Sequence, residues 1–179
     1  MLALALAAPA ARADVEAVFA GGTTTYASSW RGDYCAGGTL RAGLRFSRVF
    51  SVDFQVWESL ATVNERLNTG LSLGITGVVP LRLVHPYARL FAMHQHEEGL
   101  VSVEYAPAGT LFGIGAGIRH RAAGGLSLGA EVPIPTRGDG RLTPVFFAEV
   151  TSSYFPDDTL GPHTYVGLDL GFGLDFLLR

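Results

Sequence analysis

The sequence predicts an all-β fold, and three observations carry the prediction. Apolar residues alternate with small or polar ones in stretch after stretch, which is the period-two pattern of a strand. After residue 13, no window repeats apolar residues at helical spacing over three turns. Of the 179 residues, 23 are glycine and only 16% are charged, compared with roughly 25% in a typical soluble domain. A net charge of −3 without a basic block argues against nucleic-acid binding.

The first 13 residues differ from the rest of the chain. They read MLALALAAPAARA and end in Ala11-Arg12-Ala13, which is typical of the apolar region and cleavage site of a secretory signal peptide. A short N-terminal helix is the alternative, because alanine and leucine favour helix. We interpret residues 1–13 as the remnant of a signal peptide and residues 14–179 as the folded domain.

Eight segments carry the alternation, six cleanly and two with interruptions. Residues 165–178 alternate without a break, which is longer than the usual strand of about 5–6 residues. This length is sufficient for a tilted membrane-crossing strand, which needs about 9–11 residues. The clean segments are 39–46, 50–57, 67–79, 111–119, 126–132 and 165–178, and the interrupted ones are 14–26 and 86–95.

The second face of these strands indicates which side meets lipid. It consists mainly of glycine with a few charges, and small residues suit the narrow lumen of a closed barrel of about eight strands. A soluble lipid-binding barrel, with its apolar residues inside, is the alternative. Positive and negative charges nearly cancel on this face, as expected where buried charges must pair. We predict a lumen charge network of Arg41, Arg45, Asp53, Arg119, Glu131, Asp169 and Asp175.

Aromatic residues cluster near the predicted strand ends. Tyrosine and tryptophan favour the membrane–water interface, where they form girdles around membrane barrels. We therefore expect girdle positions for Tyr26, Trp30, Tyr34, Trp57, Tyr87, Tyr105, Tyr154 and Tyr165.

Taken together, the signal-like segment, the glycine-lined alternating strands and the long closing strand resemble the small outer-membrane β-barrel family, specifically the OmpA-like transmembrane domain. The resemblance is one of pattern and covers residues 14–179. It implies a closed antiparallel up-and-down barrel in the outer membrane of a Gram-negative bacterium, with an even number of strands and both termini on the periplasmic side.

The strand count is complicated by a ninth strand-like segment, Leu142 to Tyr154. Either this segment is a hairpin arm within the last extracellular loop, which gives eight strands, or Leu100 to Tyr105 also crosses, which gives ten. Tight connections at Ser47-Arg48 and at Arg121 to Gly125 are typical of periplasmic turns and favour eight.

Those two turns also predict lumen pairs. The turn at Ser47-Arg48 places Asp53 opposite the Arg41 to Arg45 segment, and the turn at Arg121 to Gly125 places Glu131 near Arg119.

One histidine-rich segment could hold a metal. His94 and His96 lie two residues apart, so on a strand they would share one face, and Glu97 and Glu98 follow. Such side chains can bind zinc or copper. A solvated extracellular loop tip is the favoured alternative. We therefore predict no metal site and no cofactor, with His94 and His96 as the candidates should a metal bind.

Strand geometry argues against a catalytic site. His120, Ser127 and Glu131 are close in sequence, but strand parity puts His120 on the lipid side and the other two in the lumen. We therefore expect no enzyme. The sequence predicts a structural anchor or loop-displaying interaction protein with a packed lumen, in contact with outer-membrane lipid and with an unidentified extracellular or periplasmic protein partner. A narrow pore, a lipid-modifying enzyme and a soluble lipid-binding barrel are the alternatives.

Overall fold

Eight long strands form a closed antiparallel barrel in the computed structural model of the chain. Each strand pairs with its neighbours in sequence, and the last strand closes the barrel on the first. The structure describes residues 14–29, 32–63, 65–100, 109, 112–114, 117–136, 141–156 and 162–178. The predicted signal remnant at residues 1–13 lies outside them. Within the described residues, no helix has the length and apolarity needed to span a bilayer.

The strands are twelve to sixteen residues long, as sustained alternation predicts. Their bounds are β1 Val15–Ser28, β2 Tyr34–Phe46, β3 Phe50–Ala61, β4 Arg66–Val78, β5 His85–Gly99, β6 Arg119–Pro133, β7 Leu142–Phe155 and β8 His163–Leu178.

The two ends of the barrel differ. Val15 of β1 pairs with Leu178 of β8, so the chain enters and leaves the barrel at one end. That end, here called the terminal end, also carries the connections 47–49, 79–84 and 134–141. The opposite end, here called the loop end, carries the connections 29–33, 62–65, 100–118 and 156–162. In bacterial outer-membrane barrels the shorter turns are periplasmic, so the loop end corresponds to the cell exterior.

Apolar side chains cover the outside of the barrel and polar ones fill the inside. Leu40 and Phe172 are 68% and 65% exposed, whereas Asp53, Arg89 and Asp169 are buried. This is the arrangement of a membrane barrel, in which the outward face meets lipid. It contradicts the soluble alternative, which requires apolar residues inside.

The strand number agrees with the prediction, but two of the predicted segments do not. Leu142 to Tyr154 is not a hairpin arm of a loop, because it forms the crossing strand β7. The strand predicted at 111–119 is also wrong: Gly113 and Gly117 have φ values of +66° and +86°. The described residues 112–114, 117 and 118 lie in the β5–β6 connection, and Arg119 begins β6. Glycine alternation imitated a strand there, although these glycines adopt a backbone conformation that strands do not use.

The predicted turn at Arg121 to Gly125 is also wrong, because these residues lie inside β6. The closed eight-stranded sheet excludes the ten-strand alternative. Most of the second segment on which that alternative depended, Leu100 to Tyr105, lies outside the described residues.

Only part of the predicted aromatic girdle is present among the described residues. Tyr34 and Tyr154 are outward and exposed, as a girdle requires, but four other rings fill the lumen. Trp30 and Tyr105 lie outside the described residues. The lumen rings are Tyr26, Trp57, Tyr87 and Tyr165.

Glycines of the lumen face make room for these rings. A Cβ on Gly70 would lie 2.0 Å from the Trp57 ring, and a Cβ on Gly167 would lie 2.1 Å from the Tyr26 ring. Gly129 faces Tyr87 in the same way, at 2.5 Å. The glycine-rich face thus accommodates large side chains from neighbouring strands in a narrow lumen.

Candidate functional site

Near the terminal end of the lumen, one arginine joins three strands. Arg45 of β2 donates from Nη1 to Asp175 Oδ2 of β8 and from Nη2 to Glu131 Oε1 of β6, both at 2.7 Å. All three side chains are buried. Charge-assisted hydrogen bonds of this length are strong, and removing one partner of a buried pair leaves the other charge buried without a counter-charge.

Halfway along the lumen, a second arginine crosses the barrel. Arg41 of β2 forms an ion pair with Glu149 of β7, which is buried. The Tyr87 hydroxyl of β5 donates to the other carboxylate oxygen of Glu149 at 2.7 Å. Glu149 therefore connects β2, β5 and β7 through the interior.

A third arginine pairs beside it. Arg89 of β5 donates from Nε to Asp53 Oδ1 of β3 at 2.5 Å and from Nη2 to Ser72 Oγ of β4 at 2.9 Å. Thr76 donates to the second oxygen of Asp53 at 2.7 Å. Gly74 allows this arrangement, since a Cβ there would lie 2.5 Å from Arg89 Nε.

Asp169 is buried on β8 at the same level. The hydroxyls of Tyr26 and Thr151 each lie 3.4 Å from its carboxylate. It faces Glu149 directly across the β7–β8 ladder, so two acidic groups are neighbours in the lumen.

At the loop end the charges gather around Glu97 of β5. Arg66 of β4 donates to Glu97 Oε2 at 2.7 Å and also pairs with Asp33. Arg121 of β6 donates to the same Glu97 oxygen at 2.9 Å, and its Nη1 lies 2.8 Å from His163 Nε2. The Arg121 guanidinium lies 4.6 Å from the centroid of the Phe155 ring, within the range of a cation–π contact.

The predicted network residues lie on the lumen face, but their partners differ from the predicted ones. Arg119 and Glu131 do not pair: both lie on β6, twelve residues apart, which is roughly 40 Å along a strand. Arg119 pairs with Glu97, while Glu131 pairs with Arg45. The false turn at Arg121 to Gly125 caused this error.

Asp53 lies where the turn at Ser47-Arg48 is expected to place it. Asp53 lies opposite Gly43 in the β2–β3 register, hence beside the Arg41 to Arg45 segment as predicted. Its ion pair, however, is with Arg89.

Sequence reasoning missed several members of the network. Arg89 and Glu97 have lumen parity on β5 with Tyr87. This parity could have identified Arg89 within the interrupted 86–95 alternation and Glu97 two residues beyond it. Glu149 was hidden because Val145 and Phe147 share its lumen face and blur the alternation of β7. The missed members are Asp33, Arg66, Arg89, Glu97, Arg121 and Glu149.

Little free space remains between these side chains near the loop end. A lumen cavity there measures ≈ 10 Å³ and is lined by residues that include Tyr26, Trp57 and Asn68. About this volume is the minimum for one water molecule. Two larger depressions, of ≈ 640 and ≈ 770 Å³, are open grooves along β1–β3, where Gly21 lies between exposed apolar side chains such as Leu40.

The histidine-rich segment is part of strand β5. The expected solvated loop tip is therefore wrong. His94 and His96 share the outward face of β5, and His96 pairs in register with His120 of β6. The three side chains form a cluster in which the candidate ligand atoms all lie within 4.8 Å of one another. We refer to His94, His96 and His120 as the histidine cluster.

The residues considered for catalysis are separated as strand parity predicts. His120 is outward and exposed, whereas Ser127 and Glu131 are buried in the lumen. Ser127 Oγ lies 2.8 Å from Thr151 Oγ1, and Glu131 bonds to Arg45.

Comparison with solved structures identifies the fold. The barrel matches Neisserial surface protein A with a TM-score of 0.59 at 10% identity, over 92% of this chain and 97% of that one. The chain has the fold of the small outer-membrane β-barrels. The barrel also matches the outer membrane protein OprG of Pseudomonas aeruginosa, with a TM-score of 0.53 at 12% identity, over 90% of this chain and 95% of that one. The N-terminal barrel domain of OprF from the same organism matches at 0.52 and 15%, over 90% and 97%.

These matches agree with the predicted family and with the predicted location in a Gram-negative outer membrane. No protein-family model matches the chain, and no curated protein sequence matches it. The similarity to this family is therefore one of barrel architecture.

Proposed function

We propose that this outer-membrane barrel is a membrane anchor with a closed lumen that displays its loop-end connections to an extracellular protein partner. The observation that carries the proposal is the set of lumen ion pairs, which join strands across the interior at the terminal end, the middle and the loop end. An eight-stranded barrel filled in this way has no continuous path for solutes.

The longest connection supports the display of loops. In the β5–β6 connection, Phe112 and Ile114 are 72% and 71% exposed although neither belongs to a strand. Large apolar side chains exposed outside the membrane-crossing strands are typical of surfaces that contact another molecule. The partner remains an unidentified protein, with outer-membrane lipid around the barrel itself.

We expect no enzymatic activity. The Ser127 hydroxyl is engaged with Thr151, and His120 lies on the other face of the same strand. A nucleophile and its base must be within hydrogen-bond reach of each other, and these two groups are not arranged that way.

Ion conductance in planar lipid bilayers tests the closed lumen. The wild-type barrel should insert and give no steady conductance steps. The double variant Arg41→Ala/Glu149→Ala removes both partners of the central ion pair and should open a water-filled path, so conductance should appear. Heat-dependent mobility on a gel verifies that both proteins are folded.

Steady, ohmic conductance of the wild-type protein would contradict the anchor and would establish the narrow pore instead.

A second variant tests the display of the connection. Phe112→Ser/Ile114→Ser should leave the free energy of unfolding within ~0.5 kcal/mol of wild type, as for exposed positions. Loss of folding would mean that the connection is part of the barrel's stability rather than a displayed segment.

A further inference from the structure

The histidine cluster lies on the outer wall of the barrel near the loop end, away from the lumen network. His94 and His120 are exposed, and His96 is buried although it points to the same outward side. His94 and His96 lie on β5 and His120 lies on β6. The pairing of His96 with His120 across the β5–β6 ladder brings the three imidazoles together. The cluster is therefore held on rigid sheet rather than on a loop.

The β5–β6 connection covers part of the cluster. A Cβ on Gly113 would lie 3.0 Å from His120 Cε1 and 3.1 Å from His96 Nδ1, so the backbone of the connection packs directly on both rings. The φ of +66° at Gly113 is one that other residues rarely adopt. Glycine permits both the backbone conformation and the close approach.

The spacing of the nitrogen atoms suits a tetrahedral metal ion. His94 Nε2 lies 3.1 Å from His120 Nδ1. One ring nitrogen from each of the three histidines lies within 4.8 Å of the other two. Two imidazole nitrogens bound to one zinc ion at 2.0–2.1 Å are about 3.4 Å apart in tetrahedral geometry. The upper bound of 4.8 Å exceeds that distance by about 1.4 Å.

A nearby acidic side chain adds negative charge. Glu98 follows His96 by two residues on the outward face of β5 and is only 4% exposed. Its Oε1 has no hydrogen-bond partner among the described residues. A buried carboxylate two residues from His96 on the same face favours a cation over an anion at this site.

We propose that His94, His96 and His120 form a binding site for Zn²⁺ on the outer wall of the barrel, with a fourth coordination position left open. Three histidine ligands and an open position are an established zinc arrangement. Cu²⁺ uses the same nitrogen donors and competes for the site, whereas Mg²⁺ prefers oxygen ligands and does not. A bound ion links β5 to β6 at the base of their long connection.

Zinc binding to the folded, detergent-solubilised full chain tests the proposal. The protein carries no polyhistidine tag and is stripped with a chelator, and Zn²⁺ is titrated in competition with a chromophoric indicator. We expect saturable binding of a single ion per chain, displaced by Cu²⁺ and unaffected by millimolar Mg²⁺. His94→Gln, His96→Gln and His120→Gln should each weaken binding by about 10-fold or more, since even outer-shell changes cost 10–100-fold.

His85→Gln is the matched control, because His85 lies at the terminal end of β5 and should leave affinity unchanged. Gel mobility of unheated samples confirms that each variant is folded. If a variant fails to fold, electron paramagnetic resonance of Cu²⁺ bound to the wild-type protein decides, and it should show coordination by three nitrogens. The absence of saturable binding, affinity that survives all three substitutions, or a spectrum with fewer than three nitrogens would overturn the proposal.

Discussion

Arg45 shows how single residues hold the interior together. Its guanidinium is bonded to Glu131 on one side and to Asp175 on the other, so three strands far apart in sequence meet at one side chain. In a buried lumen, removal of the arginine leaves two carboxylates without their counter-charge.

The first prediction concerns this group. Arg45→Ala should lower the free energy of unfolding by about 3–5 kcal/mol, the cost of breaking a buried pair. Arg45→Ala/Glu131→Ala should lose less than the sum of the single variants, because the two residues contact each other. Urea unfolding in lipid vesicles measures all three.

The pair Arg119 and Glu131 is the matched control. These residues share β6 but lie near its opposite ends, so their losses should add. Additive losses for Arg45 and Glu131, with coupling between Arg119 and Glu131, would show that the β6 register is wrong.

Lumen glycines give a second prediction at the same scale. Gly167→Ala places a Cβ 2.1 Å from the Tyr26 ring and should destabilise the barrel by about 1–3 kcal/mol through overpacking. Gly77→Ala is the control, because a Cβ at Gly77 has no atom within 4 Å and should be tolerated. Equal, small effects of the two substitutions would mean that Tyr26 does not occupy the lumen beside Gly167.

At the scale of elements, β7 and the β5–β6 connection exchange the roles that alternation assigned to them. Val150 on β7 is outward and exposed within a crossing strand, whereas Ile114 lies in the connection. A bimane label at Val150 should be quenched by lipids brominated near the bilayer centre, and a label at Ile114 should not. Quenching of Ile114 without quenching of Val150 would restore 111–119 as a strand.

Much of this element order follows from sequence, and the errors have physical causes. Period-two apolar residues are a local property, so the long strand at 165–178 and the outward face were predictable. Glycine fits a strand pattern equally well where it serves a turn, as Gly113 and Gly117 do. In β7, the lumen-facing Val145 and Phe147 weakened the alternation that marks a strand.

The lumen partners could not be predicted from local pattern. Arg45 bonds to a residue 130 positions away and to another 86 positions away. Such contacts depend on how the closed sheet staggers its strands, and a single misplaced turn changes them all. Only part of the histidine cluster could be predicted from the sequence. His94 and His96 are two residues apart in the chain, but His120 is brought to them by the β5–β6 register.

The whole molecule is a membrane barrel in which apolar side chains face lipid and charged side chains lie inside. The outward row of β8 is apolar from Val166 to Leu178, and the lumen row carries Asp169 and Asp175. A charge on the lipid face near the bilayer centre would cost about 2–4 kcal/mol, which explains why this face is free of charge along β8.

Spin-label accessibility along β8 tests that claim most directly. With Cys35 replaced by serine, single cysteines at Leu168, Leu170 and Leu174 carry the label in folded protein reconstituted into vesicles. All three labels should collide readily with lipid-soluble oxygen and poorly with a water-soluble nickel chelate. Preferential collision of all three with the nickel chelate would place these leucines in water and contradict a membrane-spanning barrel.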